Sequence, residues 1–274
     1  MLTLQNGCRN TGIFNLQTMD YNNLLLEVED QILTLIVNRE SKLNALNRET
    51  LNELTSALAD ALKNKQIRGI IITGSGSKAF IAGADISEFL DYGAAEAHQI
   101  ANKGHQLLNF IENSEKPIIA AINGYALGGG LELAMACHLR IAADSAKMGL
   151  PEATLGLIPG YGGTQRLTQL VGKGKALEMI LTAETITAEQ AFDSHLINHV
   201  VPLEQLMDRS RGLMQKIISG SAQATASAIH AVNAVLSSEG FNTEINEFVK
   251  CFGSEDFKEG VKAFIEKRKP VFKG

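Results

Sequence analysis

The sequence predicts an α/β fold, and three observations lead to this prediction. Apolar runs of strand length alternate with longer amphipathic stretches over about the first 200 residues, as in a layered α/β domain. Glycine is concentrated between residues 124 and 163, where strands are expected to turn into helices. After Gly172 the pattern is that of one helix after another. We therefore expect an α/β core over residues 21–200 and a helical region over residues 201–274.

The composition narrows the class of protein. The chain has 274 residues, of which 45% are hydrophobic and 20% charged, and this excludes a disordered polymer, a collagen-like chain and a small disulfide scaffold. The net charge of −5 makes a nucleic-acid partner unexpected. The apolar runs are far shorter than the roughly 20 residues that span a bilayer, so we expect no membrane insertion. Cys8, Cys137 and Cys251 are far apart and fit no disulfide or zinc framework, which favours a reducing, cytoplasmic compartment.

The first twenty residues lack the pattern of a folded element. They contain one arginine, no long apolar core and no cleavage signal, so we interpret residues 1–20 as a loose tail. Patterned sequence begins just after Met19, and both Met1 and Met19 stay open as the natural start.

The predicted elements begin with a β-hairpin. Two short apolar runs, Leu24–Val28 and Ile32–Val37, are separated by three polar residues. Asn47 is then the predicted N-cap of a helix that carries leucines on one face. A buried strand over Gly69–Thr73 follows that helix, which gives the order β-β-α-β.

The remaining elements alternate and then become helical. A helical stretch over about residues 95–113 leads to a second buried strand, Ile118–Ile122, which follows Pro117. Thr187 and Gln190 have the spacing of a capping box. The later amphipathic segments, all predicted as helices, are Leu203–Ser219, Ala222–Leu236 and Asn242–Phe252.

Three consecutive glycines mark a candidate site. Asn123 ends a buried strand, Gly128–Gly130 follow, and Leu131–Cys137 is predicted to be helical. The first N–H groups of such a helix have no partner within it, and the helix dipole adds positive charge there. These are the properties of an anion or oxyanion receptor. The spacing fits neither a Walker A loop nor a dinucleotide fingerprint. A tight turn with close packing is an equally good interpretation of the glycines alone.

Two acidic residues belong to the same part of the sequence. Glu132 falls in the first turn of the predicted helix, where its carboxylate can face the glycine N–H groups or simply pair with the helix dipole. Glu152 lies in a segment framed by proline and glycine. Two carboxyl groups near an oxyanion receptor can deprotonate a water and deliver a proton, provided that their environments separate their pKa values. The spacing of the two acids does not by itself place them together.

The segment Ala79–Ile86 is a second candidate for backbone donors. Its small residues after a strand let a ligand approach the main chain closely. The alternative interpretation is a strand-to-helix connection with Asp85 as the N-cap.

Together these segments resemble the enoyl-CoA hydratase (crotonase) family. The resemblance extends over nearly the whole chain, from about Leu24 to Phe272. The fold that it implies is a spiral of β-β-α units with two roughly perpendicular sheets and a helical C-terminal region for trimerisation, the trimers pairing into hexamers. The motifs that carry the resemblance are Ala82–Ile86, Asn123–Gly130 with Glu132, and Pro151-Glu152 with Ile158–Arg166.

The resemblance also implies a reaction. The N–H groups of Ala84 and Gly129 would hold the thioester oxygen of an acyl-CoA. Glu132 would activate a water, and Glu152 would pass a proton to the α-carbon. Hydratases of the family carry both acids, so we expect reversible hydration of a 2-enoyl-CoA to 3-hydroxyacyl-CoA, as in fatty-acid β-oxidation, with no cofactor besides the CoA of the substrate. An enoyl-CoA isomerase, another lyase of the family and a non-catalytic RNA-binding member stay open as alternatives.

A larger set of residues is assigned to the substrate by the same resemblance. Lys42 also has an independent reason, because it is a cation in an acidic protein and is available for a phosphate. A solvated surface lysine is the ordinary interpretation. The residues assigned in this way are Lys42, Leu43, Ala45, Ala82, Asp85, Ile86, Ser87, Tyr125, Gly128, Pro151 and Gly160.

Other types of site find no support. The six histidines lack metal-ligand spacing, so we expect no metal. Cys137 lies in an apolar stretch and is predicted to be inert core. No serine stands in a G-x-S-x-G elbow, which disfavours a serine hydrolase.

Overall fold

The computed structural model describes residues 21–273. The predicted tail over residues 1–20, with Cys8 and both candidate start methionines, lies outside the described residues. The strands are β1 Leu24–Glu29, β2 Ile32–Val37, β3 Gly69–Gly74, β4 Ala79–Ile81, β5 Ile118–Ile122, β6 Tyr125–Leu127, β7 Leu139–Ala143, β8 Lys147–Gly149, β9 Ile186–Thr187 and β10 His199–Val201. The helices are α1 Arg48–Lys63, α2 Ala94–Glu112, α3 Gly129–Ala136, α4 Gly163–Thr182, α5 Ala188–Asp193, α6 Leu206–Ile218, α7 Ala222–Asn233, α8 Gly240–Phe252 and α9 Glu255–Ile265.

The first elements form as the sequence predicts. β1 and β2 pair as an antiparallel hairpin, and β3 then adds to β2 in parallel. Asn47 caps α1, because its side chain accepts a hydrogen bond of 2.8 Å from the backbone nitrogen of Thr50. The capping box at Thr187 and Gln190 is also present at the start of α5.

Among the described residues the strands form two sheets. The larger has the order β1-β2-β3-β5-β7-β10, and the smaller has the order β4-β6-β8-β9. All pairs are parallel except β1–β2 and β8–β9. Parallel strands are joined through helices, which here alternate with them along the chain.

The larger sheet is buried on both faces. Alternate side chains of β3 point to opposite sides, so Ile70 and Ile72 join the core with α1, whereas Ile71 packs with Leu206 and Met214 of α6. This two-sided burial explains why β3 is a continuous apolar run instead of an alternating one.

Short strands of the smaller sheet position the candidate site. β4 and β6 run parallel, with Ile81 opposite Ala126. Their carboxyl ends therefore lie at the same edge, where the chain continues as Ala82–Ala84 and as Gly128–Gly129. β8 pairs with β6 on its other side and leads into the segment that carries Glu152.

The C-terminal part of the chain begins inside the larger sheet. β10 pairs with β7, and α6 packs against the same sheet. α7 and α8 pack against each other beyond it, and α8 carries several exposed apolar side chains. No helix of residues 21–273 is both long and apolar enough to cross a membrane.

Candidate active site

Two backbone amides meet at the shared edge of β4 and β6. Leu46 binds the segment after β4 through both its backbone groups, to the oxygen of Gly83 and the nitrogen of Asp85. The N–H of Ala84, between them, takes no part in this pairing. Gly129 is the first residue of α3, so its N–H has no acceptor within the helix. A Cβ added to Gly129 would lie 3.7 Å from the Ala84 nitrogen, which shows that the two amides are neighbours.

The glycines are required by the local geometry. Gly128 has φ of 48°, in the left-handed region that side chains rarely adopt. A Cβ on Gly130 would overlap the carbonyl oxygen of Ile81, so α3 approaches β4 more closely than any other residue type allows. The same glycines thus make a tight turn and place the start of α3 beside Ala84.

Glu132 is a buried carboxyl group held by one loop. Its side chain is only 2% exposed, and its Oε1 accepts hydrogen bonds from the nitrogens of Tyr161 at 2.8 Å and Gly163 at 2.6 Å. Burial raises the pKa of Glu132 to about 7, although the two N–H groups lower it, and the nearby charge of Glu152 raises it further. The group therefore changes its protonation state near neutral pH, as a general base or acid requires.

Glu152 lies beside the glycine turn. It lies in the 3₁₀ helix Pro151–Leu155, and its Oε1 is 2.7 Å from the position that a Cβ on Gly128 would take. Its Oε2 is buried and has no hydrogen-bond partner among the described residues. Burial raises the pKa of Glu152 as well, which favours the protonated acid. The structure thus places Glu152 beside the glycine turn and close enough to Glu132 for its charge to raise the pKa of that acid.

A sequence model of the family described as enoyl-CoA hydratase/isomerase matches residues 27–274. The chain belongs to this family. The "Crotonyl-CoA hydratase" of Syntrophomonas wolfei is 43% identical over 257 residues, which cover 93% of this chain and 99% of that protein. The "Short-chain-enoyl-CoA hydratase" of Clostridium acetobutylicum is 41% identical over 254 residues, covering 92% of this chain and 97% of that protein.

Solved structures show the same fold. The crystal structure of an enoyl-CoA hydratase from Bacillus anthracis superposes with a TM-score of 0.88 at 37% identity, covering 92% of this chain and 99% of that one. Pseudomonas aeruginosa DspI gives a TM-score of 0.89 at 34% identity, covering 94% and 99%. The predictions of the family and of the crotonase-like α/β fold are therefore confirmed.

The predicted CoA-binding residues of this family member lie on two adjoining loops. Lys42 ends a short 3₁₀ helix and is exposed, as is Leu43, whereas Ala45 is half-buried. Ala82 donates a backbone hydrogen bond of 3.1 Å to the oxygen of Leu43, which joins this loop to the one after β4. Ile86 is exposed beyond it.

The remaining predicted residues lie on three separate segments. Tyr125 begins β6 with an exposed ring, and Pro151 immediately precedes Glu152. Gly160 is exposed, and a Cβ there would meet nothing within 4 Å. Its position therefore does not depend on glycine for lack of space.

Asp85 and Ser87 are the predicted substrate residues whose side chains are already engaged. The Asp85 carboxylate forms an ion pair of 3.0 Å with Arg39 and accepts a hydrogen bond of 2.7 Å from the Ser87 hydroxyl. Asp85 stands at the N-cap position of the 3₁₀ helix Ile86–Glu88, but its side chain makes no capping hydrogen bond. The alternative of a strand-to-helix connection with Asp85 at the N-cap is therefore confirmed for the position of the residue, whereas the carboxylate binds Arg39 and the Ser87 hydroxyl.

Sequence reasoning missed Arg166, which supports the loop that holds Glu132. Its Nη1 donates to the oxygen of Tyr161 at 3.0 Å, and its Nη2 donates to Glu112 and Asn109 at 2.7 Å each. The signal in the sequence that could have found it is an arginine three residues after the glycine pair Gly162-Gly163.

The described residues outside this site include neither a candidate metal centre nor an activated form of the Cys137 thiol. Within residues 21–273, no three histidine, cysteine or acidic side chains cluster so as to hold a metal ion. Cys137 is buried, and burial raises the pKa of its thiol to about 12. It is a thiol of the core, as predicted.

Proposed function

We propose that this protein is an enoyl-CoA hydratase that adds water reversibly across the 2,3 double bond of a 2-enoyl-CoA. The observation that carries the proposal is that buried Glu132 and half-buried Glu152, both with raised pKa values, interact with each other next to the glycine turn that holds two neighbouring backbone amides. The printed names of the relatives from Syntrophomonas wolfei and Clostridium acetobutylicum support it. Those names also favour a short acyl chain.

The amides of Ala84 and Gly129 serve as the oxyanion hole. When a nucleophile attacks the β-carbon, the electron pair of the double bond moves towards the thioester oxygen, which becomes enolate-like. Two preorganised N–H donors stabilise this charge, and loss of one such donor typically costs about 2.7–4 kcal/mol in the transition state. The dipole of α3 adds to the effect at Gly129.

The two acids move the protons. Ionised Glu132 removes a proton from water while the water oxygen forms a bond to the β-carbon. Protonated Glu152 gives its proton to the α-carbon, and the carbonyl re-forms. One water is consumed, and the two acids exchange protonation states before a proton returns through solvent. Because the step moves only protons and a water oxygen, the proposal includes no cofactor.

CoA binds along the two adjoining loops in this proposal. Lys42 is an exposed cation at the end of its 3₁₀ helix and is placed to meet a phosphate. Leu43 and Ala45 from the same loop, and Ala82 and Ile86 from the loop after β4, border the thioester end. The net charge of −5 argues against a nucleic-acid partner.

We extend the proposal to assembly and location. Exposed apolar residues lie on one face of α8 at helical spacing, as on a surface that is covered by another subunit. This supports a trimer made through the region 201–274, and a hexamer of two trimers. Bacterial relatives and the reduced state of the described cysteines support a cytoplasmic location. The residues of this face are Phe241, Ile245, Phe248, Val249 and Phe252.

The deciding experiment follows the conjugated thioester. Crotonyl-CoA mixed with the protein is expected to lose the ultraviolet absorbance of its double bond, and mass spectrometry is expected to show the gain of one water. Conversion of a 3-enoyl-CoA to a 2-enoyl-CoA without hydration would indicate an isomerase instead. No reaction with either substrate would contradict the proposal.

A further inference from the structure

An ion pair joins the two loops of the candidate site. The Arg39 guanidinium lies 3.0 Å from Asp85 through Nη2, and its Nη1 donates to the backbone oxygen of Ala45. The side chains are mostly buried, with 14% of Arg39 and 16% of Asp85 exposed. One guanidinium thus holds both the loop with Lys42 and the loop with Ala84.

The loop that carries Arg39 is itself held in an unusual conformation. Leu43 and Asn44 have φ of 50° and 59°, in the left-handed region that asparagine adopts readily but that a leucine adopts only when its surroundings impose it. Buried Asn44 accepts a hydrogen bond from the Arg39 nitrogen and donates to the oxygens of Ala79 and Ser75. The conformation of this loop is therefore set by polar contacts to β4 and its flanks.

Asp85 is the residue directly after the proposed oxyanion donor. Its nitrogen donates to Leu46 at 2.7 Å, and its carboxylate binds Arg39, so backbone and side chain are fixed together. Hydrogen bonds from Ser87 and then from Arg39 lower the pKa of Asp85, which keeps the carboxylate charged. Rotation of the Gly83–Ala84 peptide would break the hydrogen bond of 2.8 Å from the Leu46 nitrogen to the Gly83 oxygen, and the contacts of Asp85 fix the chain directly after that peptide. Gly83, at φ of 111°, offers no resistance of its own.

We propose that Arg39 and Asp85 are positioning residues that hold the Ala84 N–H in the geometry of the oxyanion hole. The proposal rests on the proposed function of that amide. Asp85 then acts through the backbone of its neighbour and not by touching the CoA. A donor must lie within about 0.5 Å of its productive position, so a freed peptide would stabilise the enolate less.

The test compares Asp85→Asn, Arg39→Gln and the double variant on two substrates. Crotonyl-CoA carries the nucleotide, whereas S-crotonyl-N-acetylcysteamine has the same thioester without it. Each single variant is expected to lower kcat by about 10- to 100-fold. This is less than the roughly 10²–10³-fold loss of kcat that is typical when one oxyanion donor is removed completely. The loss is expected to be similar for both substrates. The double variant should be no worse than the poorer single one, because both remove the same contact.

A spectroscopic readout separates this proposal from the proposed reaction. The carbonyl stretch of bound, ¹³C-labelled butanoyl-CoA reports polarisation by the hole without any turnover. It is expected to shift to lower frequency in the wild type and to shift less in the single variants. If the wild type polarises the carbonyl but hydrates no substrate, the hydratase reaction is refuted. The role of Arg39 and Asp85 in positioning the Ala84 N–H is then decided by the carbonyl frequencies of the variants.

Two controls complete the design. Glu29→Gln removes one of the two ion pairs that Arg211 of α6 makes with the first hairpin, and it controls for the loss of a charge pair. Arg39→Lys keeps the charge but cannot reach Asp85 and Ala45 together, so partial activity is expected. The proposal is overturned if Asp85→Asn raises KM for crotonyl-CoA alone, or if the variants polarise the carbonyl as the wild type does.

Discussion

The Oε1 atom of Glu132 lies 2.8 Å from the backbone nitrogen of Tyr161, so the loop that carries the tyrosine orients the carboxylate. Arg166 binds the oxygen of the same residue and fixes the loop from behind. The orientation of Glu132 thus depends on backbone donors, which an amide side chain can satisfy as well as a carboxylate. This allows the charge to be removed without loss of the architecture.

Glu132→Gln is expected to lower kcat for crotonyl-CoA by about 10²–10⁴-fold, because an amide cannot take a proton from water. The Oε1 of glutamine can still accept from Tyr161 and Gly163, so KM is expected to change little. Steady-state kinetics check this, with Glu178→Gln on the exposed side of α4 as the control. Turnover near that of the wild type would contradict the role of Glu132.

Glu152→Gln is expected to lose the exchange of α-protons, a partial reaction that does not require the attack of water. In D₂O, butanoyl-CoA should exchange its α-protons with solvent, because Glu152 can remove and return them while the amides hold the enolate. The exchange, followed by proton NMR, is expected to be lost in Glu152→Gln and kept in Glu132→Gln. The reverse pattern would show that the two acids have the opposite roles.

Local sequence patterns predict the hairpin, α1 and its Asn47 cap because each depends on neighbours in the chain. The strands β4, β6 and β8 have only three residues each, which is too short for a periodic pattern to mark them in the sequence. They form through pairing with one another. Yet they decide the site, since β6 and β8 bring together Glu132 and Glu152.

The start of α3 is a second feature that depends on contacts between distant parts of the chain and not on the local sequence pattern. The sequence predicts a helix from Leu131, whereas α3 begins at Gly129 because close packing on Ile81 keeps both glycines helical. The contacts of Arg39 and Arg166 join segments 46 and 54 residues apart, to Asp85 and Glu112 respectively. No spacing rule connects such pairs before the fold is known.

The raised pKa of Glu132 predicts a dependence of stability on pH. Between its ordinary pKa of 4.5 and about 7, the folded chain keeps a proton that the unfolded chain has released. The free energy of unfolding therefore falls as the pH rises through this range, by up to about 3 kcal/mol. Glutamine carries no such proton, so Glu132→Gln is expected to gain stability over the wild type between pH 4.5 and pH 8. Urea unfolding of the wild type and of Glu132→Gln at pH 4.5 and at pH 8 measures the gain. If the two proteins differ in their free energy of unfolding by the same amount at both pH values, the pKa of Glu132 is not raised.

Tyr161 is expected to limit the length of the acyl chain. Its side chain is only 6% exposed, and its ring lies 3.3 Å from the Cβ position of Gly129, beside the proposed oxyanion donor. The other edge of the ring packs so closely on Gly104 that any side chain there would overlap it. The ring therefore fills space that a longer acyl chain would need, and its buried hydroxyl has no partner within residues 21–273.

Tyr161→Ala is accordingly expected to raise the ratio of kcat/KM for C12 over C4 enoyl-CoA by roughly tenfold or more, since the pocket gains several methylene volumes. Tyr161→Phe is the matched control, because it keeps the ring and removes only the hydroxyl, and its ratio should stay near that of the wild type. Each ratio comes from competition between the two substrates in one reaction, which cancels differences in enzyme concentration and folding. If the alanine variant has the same ratio as the phenylalanine variant, the ring does not bound the acyl pocket, and chain length is set by another wall of the site.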